Sequence, residues 1–317
     1  MSHHDVFNGD ADGILSLHQL RLAFPRESVL ITGVKRDIKL LEQIPSGENS
    51  SITVLDISME SNAQALDRLL AEGAEIEWFD HHRAGEIPAT SSLKSHINLS
   101  SDACTGLIVN EHLEGRFYLW AVAAAFGDNL SAQARALGSS LSEEQLTQLK
   151  EIGEALNYNG YGQKAEDLSV WPGDVYLDLQ KYTDPFEYYE KSACLHKIIA
   201  QKTADEKEMG NAKEIYRSSA GVCVLLPKSP ASARMSGVFS NEMVMNEPDL
   251  AHAIFTQLDE EHYRISIRAP LNRPEGADVL AVKHPTGGGR SKAGGVNSLP
   301  MKDRDLFFRN FDEVFSC

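Results

Sequence analysis

Only four of the 317 residues are cysteine, and Cys104, Cys194, Cys223 and Cys317 share no spacing that would frame a disulfide or a zinc site. They read as reduced thiols. No run approaches the roughly eighteen apolar residues that a membrane span needs, and the opening MSHHDVFNGD has no apolar signal core. The expectation is a cytoplasmic chain with no membrane partner. Internal repeats and low-complexity tracts are missing as well. Basic residues are scarce: 30 Lys and Arg stand against 46 Asp and Glu, a formal net charge of -16. A surface of that sign repels long nucleic acid, whose affinity rests on phosphate neutralisation. A polyanionic substrate should therefore be small, or be met locally by metal ions and a few arginines.

A hydrophobic content of 42% and a charged content of 24% suit a soluble globular chain long enough for about two domains. The first half alternates strand and helix patterns. HDVF leads through NGDADG into ILSLHQLRLA, where Ile14, Leu17 and Leu20 make an apolar stripe near helical spacing. SVLITG, the helix candidate DIKLLEQI, the strand SITVLD, the helix AQALDRLLAEG and the strand AEIEWFD follow. Such alternation predicts an α/β fold, a parallel sheet with helices on both faces. Residues 104 to 126 read as helical and 131 to 213 as mostly helical, with a capping box at Ser142 and Gln145. After residue 214 the strands GVCVLLP, HAIFTQLD and HYRISIRAP, a glycine-rich loop and a terminal helix predict a smaller α/β domain. The expected division is 1–190, a connecting helix over 191–213, and 214–317. The helical insert over 131–185 carries no assigned role. Its ALNYNGYG reads as a loop with inward-packed aromatics, and His3 and His4 as a frayed terminus.

Ligands of open parallel sheets bind beyond the carboxyl ends of the strands. NGDADG follows the first strand, Asp56 ends SITVLD, and Asp80 with His81 ends AEIEWFD, so three acidic sites fall on one edge. Asp10 and Asp12 alone fit either a turn or a cation site, because close carboxylates repel unless a cation or proton neutralises them. Asp128 alone fits a helix stop. His81 and His82 beside these carboxylates suit a first-row ion such as manganese better than calcium.

NGDADG, VLDIS, FDHHRAG and AFGDN, in that order, resemble the DHH phosphoesterase family. SIRAP followed by GGGRSKAGG is similar to the substrate-binding domain usually joined to the DHH domain, and the likeness spans residues 8 to 295. The resemblance implies an active site in the cleft between the two domains and two manganese ions, with magnesium or cobalt as substitutes. Asp10 and Asp56 would hold one ion, and Asp12, Asp56, His81 and Asp128 the other. His82 would bind phosphate or protonate a leaving oxygen, oriented by Asp80. Three positions depart from the family pattern: Val6 stands where many members have histidine, Asn8 where others have aspartate, and Arg290 where relatives commonly have histidine. Asn8 is a possible metal or water ligand, weaker for lacking charge.

In the second domain Arg268, Gly287, Gly288, Gly289, Arg290 and Lys292 are expected to bind substrate, with backbone amides and cations around an anion. The leading expectation is a phosphodiesterase that cleaves linear dinucleotides such as pGpG, and very short RNA, to mononucleotides from the 3′ end. A pAp phosphatase or pyrophosphatase is the alternative within enzymes, and a nucleotide sensor of weak catalysis the alternative outside them. A monomer or a homodimer is expected.

Overall fold

Strand β1 (His3–Phe7) pairs in parallel with β2 (Val29–Ile31) on one side and β3 (Ser51–Leu55) on the other. Strands β4 (Glu75–Asp80) and β5 (Leu93–Ile97) extend the sheet to the order β2-β1-β3-β4-β5. The computed structural model describes residues 2–46, 50–162 and 164–316 and divides into two units, Met1–Lys202 and Thr203–Cys317. Cys317 lies outside the described residues; Cys104, Cys194 and Cys223 are free thiols.

Two faces of the first sheet are covered, as alternation of strand and helix requires. Val6, Ile52, Val54, Ile76 and Trp78 pack with Ala65, Leu66 and Leu69 of α2 (Ala63–Ala71). Full burial of each leucine contributes about 1.5–3 kcal/mol. On the other face lie α1 (Ala11–Ala23) and α3 (Thr105–His112). Beyond them come α4 (Tyr118–Gly127), α5 (Ser131–Leu137), α6 (Glu143–Gly160), α7 (Pro172–Leu179) and α8 (Pro185–Lys191). Helix α9 (Ala193–Met209) runs across the division between the units.

Several local expectations need correction. DIKLLEQI forms only a short 3-10 turn at Leu40–Gln43. The buried Asn62 side chain donates to Ile38 O at 2.6 Å and accepts from Leu41 N–H at 3.4 Å, competing with helical bonds. Residues 104 to 126 form two helices, α3 and α4, broken where Glu114 and Gly115 take positive φ of 54° and 78°. ALNYNGYG is not a loop: most of it is the last turns of α6, with Tyr158 fully buried. His3 is not frayed either. It opens β1, only 8% exposed, and bonds Asp5 at 3.1 Å. Burial would raise the Asp5 pKa, but its bonds to His3, Arg21 and Ser28 outweigh that and hold it down to about 2.

In the second unit the order is β10-β11-β9-β8-β7-β6, with β7–β8 parallel and all other pairs antiparallel. The strands are β6 (Lys213–Arg217), β7 (Gly221–Leu225), β8 (Ala251–Gln257), β9 (His262–Arg268), β10 (Gly287–Arg290) and β11 (Ala293–Pro300). Alternate residues Ala251, Ala253 and Phe255 meet Phe307, Phe311 and Phe315 of α12 (Arg304–Phe315) and the short α11 (Ala277–Val282) in one core. Helix α10 (Pro230–Asn246) contacts β8 and β9 and escaped the sequence reading. So did β6, whose first residue, Lys213, falls within the expected connecting helix; α9 stops at Met209, before Gly210 and Asn211.

Candidate metal centre

Four neighbouring strands of the first sheet deliver their following residues to one edge. After β1 comes Asn8-Gly9-Asp10, after β2 the segment to Lys35, after β3 Asp56, and after β4 His81 and His82. Gly9 is required by close approach: a Cβ there would lie 1.9 Å from Gly33 O. Asp10 caps α1, its Oδ1 accepting from the N–H groups of Asp12 at 3.1 Å and Gly13 at 3.2 Å.

Asp12, in the first turn of α1 and 1% exposed, accepts on both oxygens. Thr105 N–H donates to Oδ2 and Gly106 N–H to Oδ1, each at 2.8 Å, from the start of α3. These bonds fix the carboxylate while leaving each oxygen a lone pair. Asp56 has φ 59°, a left-handed conformation in which a non-glycine residue is held at a cost of about 1–2 kcal/mol. Thr105 Oγ1 donates to its Oδ1 at 3.2 Å.

Asp128 arrives from α4. That helix ends in a Schellman arrangement: Leu130 N–H donates to Ala125 O at 2.8 Å and Asn129 N–H to Phe126 O at 3.2 Å, with Asn129 at φ 62°. The left-handed stop is thus Asn129, not Gly127. Gly127 instead lets α4 pack closely, since a Cβ there would lie 2.5 Å from Ala11 Cβ.

These residues converge. His81 Nε2 lies 3.4 Å from Asp56 Oδ1, 3.8 Å from Asp12 Oδ2 and 4.0 Å from Asp128 Oδ2. Asp12, His81 and Asp128 form one group whose ligand atoms all lie within 4.8 Å of one another, and Asp56, His81 and His82 form a second. Burial and the charges of Asp12, Asp10, Asp80 and Asp128 push the Asp56 carboxyl well up. Asp128 rises to about 7, from burial and Asp12, against the opposing pull of Lys35 and His81. Carboxylates that resist ionisation together are the electrostatic condition under which a divalent cation binds, so Asp12, Asp56, His81 and Asp128 fit a first-row ion. Asp80 is fully buried, and its Oδ1 lies 2.7 Å from His82 Nδ1. Burial would lower the His82 pKa, but Asp80 together with Asp12 and Asp10 outweighs it and the net shift is upward.

Asp10 behaves differently. Its Oδ2 is 2.6 Å from Lys35 Nζ, which also donates to Asn157 Oδ1 at 2.9 Å and lies 5.0 Å from the centre of the Tyr161 ring. Burial raises the Asp10 pKa, but Lys35, the Gly13 N–H and a hydrogen bond with Asp56 together outweigh it and the net shift is downward. Asn8 donates to Lys35 O at 3.5 Å, while its buried Oδ1 has no hydrogen-bond partner among the described residues. Lys35, Thr105 and Asn157 carry no signal in the sequence, and Tyr161 lies in the ALNYNGYG segment, whose aromatics read as packing rather than as part of the site.

GGGRSKAGG is not a flexible loop but the β10–β11 hairpin at the sheet edge, turning at Ser291 and Lys292. Its glycines answer to packing: a Cβ on Gly287 would lie 1.7 Å from Ala281 O, and one on Gly289 2.4 Å from Gly294 Cα, whereas Gly288 is open. Arg290 pairs with Ala293, which pairs with Arg268, so both arginines stand in one cross-strand row. Arg268 Nε donates to Asn241 Oδ1 at 3.0 Å; Arg290 and Lys292 are exposed.

No family model and no curated protein matches the chain. Solved structures do. A manganese-bound RecJ exonuclease is similar over 98% of this chain and 89% of its own, with 16% identity and a TM-score of 0.62. The DHH domain of a protein described as a member of a family of ribosomal proteins matches over 99% and 87%, at 16% and 0.62. The chain therefore has the DHH fold. The pGpG-specific phosphodiesterase PggH from Vibrio cholerae is similar over 98% of this chain and 99% of its own, with 12% identity and a TM-score of 0.56.

Proposed function

We infer that this protein is a divalent-cation-dependent phosphodiesterase acting on linear dinucleotides, such as pGpG, and very short oligoribonucleotides. The convergence of Asp12, His81 and Asp128 beside the buried Asp56 carries this reading. These four residues would hold the cation, with manganese the preferred ion. When bound, such an ion polarises a phosphoryl oxygen and lowers the pKa of a water.

The protein's own groups supply the rest. With Nδ1 committed to Asp80, His82 has Nε2 left to bind a phosphoryl oxygen or to protonate the departing ribose oxygen. The raised pKa of His82 favours the protonated form this needs. Asp80 fixes the ring, and Thr105 with Gly106 fixes the carboxylates. Arg268, Arg290 and Lys292 would bind a terminal phosphate, with open space for a ligand beside the backbone at Gly288 alone of the three glycines. The net charge of -16 supports a short substrate, and the PggH likeness supports a dinucleotide.

The Lys35–Asp10 pair, together with Val6 and Asn8, favours a second reading, a nucleotide sensor of weak catalysis. A substrate panel separates the readings. With manganese present, the protein should release mononucleotides from pGpG and pApA much faster than from a long RNA. Phosphate release confined to pAp or pyrophosphate would overturn the reading in favour of a phosphatase, and tight dinucleotide binding without turnover in favour of a sensor.

A further inference from the structure

The resemblance in sequence implies a first ion between Asp10 and Asp56, and the residues present do not fit it. Asp10 spends Oδ1 on the α1 N-terminus and Oδ2 on Lys35 at 2.6 Å. It belongs to neither group of converging ligand atoms among the described residues. Asn8 offers an uncharged oxygen, and Val6 is buried in the apolar core. A cation attached to the chain already stands on Asp10, one of the two carboxylates that the first ion would need.

Lys35 is held there by a built site. Its backbone N–H donates to Gly160 O at 2.9 Å, and Gly160 abuts the Asp10 turn so closely that a Cβ would lie 3.0 Å from Asp10 Cβ. Asn157, on the last turns of α6, takes a second ammonium proton. An ammonium has three donors. Asp10 and Asn157 use two, which leaves a third, and the side chain as a whole is a quarter exposed.

We propose that Lys35 replaces one of the two ions: the centre binds a single divalent cation through Asp12, Asp56, His81 and Asp128, and the Lys35 ammonium supplies the other positive contact to a phosphoryl oxygen. The ion stoichiometry stands on the geometry alone; the phosphate contact rests on the phosphodiesterase reading. One charge replaces two, so the centre tolerates a weaker field at Asp10, whose other oxygen is already stabilised by α1.

Equilibrium dialysis of metal-stripped protein against manganese tests the first part. One equivalent per chain is expected for the wild type and for Lys35→Arg, with no exchange-coupled manganese pair in the electron paramagnetic resonance spectrum. Asp10→Asn should also keep its equivalent, and Asp128→Asn should lose at least tenfold in manganese affinity. Two equivalents or none in the wild type, or loss of the ion in Asp10→Asn, would overturn the proposal. Inorganic phosphate titrated into the manganese-loaded protein tests the second part. Lys35→Met should weaken phosphate binding about tenfold or more, and Lys35→Arg should retain most of it; equal affinity in all three proteins would refute the contact. Neither measurement depends on turnover, so a failure of the nucleotide assay remains distinguishable from a failure here.

Discussion

Replacing Asp128 by asparagine should make the metal-free protein more stable, increasingly so as pH rises. The folded state raises the Asp128 pKa from the ordinary 3.8 to about 7, by burial and by Asp12. Its stabilising effect is therefore complete below 3.8 and is lost as pH climbs through about 7, because the folded chain holds the proton that the unfolded chain has released. Over the whole span that is about three pH units at about 1.4 kcal/mol each, on the order of 4 kcal/mol. About 2 kcal/mol of it falls between pH 5.5 and 8, or roughly 4–8 °C in Tm for a unit of this size. His18 works oppositely: burial holds its pKa down to about 3, so the native state gains stability as pH rises from about 3 to the ordinary histidine value of 6.5, where the gain is complete. The difference between wild type and Asp128→Asn cancels that term. Melting both proteins with chelator from pH 5.5 to 8 should show a gap that widens in the variant's favour. Saturating manganese at pH 8 should reverse the order, since it stabilises only the protein that binds it. A gap that stays constant with pH, or a variant less stable throughout, would refute the electrostatic account of the site.

Asp80→Asn removes the charge that holds the His82 pKa up. The basic limb of the kcat profile should move to lower pH, with kcat at neutrality down about tenfold to a hundredfold, as stopped-flow kinetics over a pH series would show. Arg268→Ala and Arg290→Ala should each raise KM for 5′-phosphorylated dinucleotides by about tenfold to a hundredfold, the effect of losing a charge-assisted bond of about 1.5–3 kcal/mol. Dinucleotides without that phosphate should be affected far less. Gly9→Ala should destabilise the fold measurably in urea melts, because its Cβ would lie 1.9 Å from Gly33 O.

Most of the sheet edge was legible because the signal was local. SITVLD and AEIEWFD each place an aspartate at the end of an apolar strand, and the strands proved parallel and adjacent. Asp128 was found through its motif, although the residue that terminates α4 is Asn129. Lys35 was not legible, because nothing in GVKRDI marks it. Its place beside Asp10 comes from β2 lying beside β1 and from α6, whose Asn157 is 122 residues away in sequence. Asn62 disguised a 3-10 turn as a helix in the same nonlocal way, by bonding backbone more than twenty residues earlier. The glycines of GGGRSKAGG read as an anion-binding loop, yet Gly287 and Gly289 serve backbone contact within a sheet.

The central claim is that the carboxylate and histidine cluster hydrolyses phosphodiesters through a bound cation. Its most direct test follows pGpG by anion-exchange chromatography with metal-stripped wild type and Asp56→Ala, each with and without manganese. The account predicts GMP from the wild type with manganese and from none of the other three reactions, with the variant still folded by circular dichroism. Equal GMP release in chelator, or normal turnover by Asp56→Ala, would contradict it.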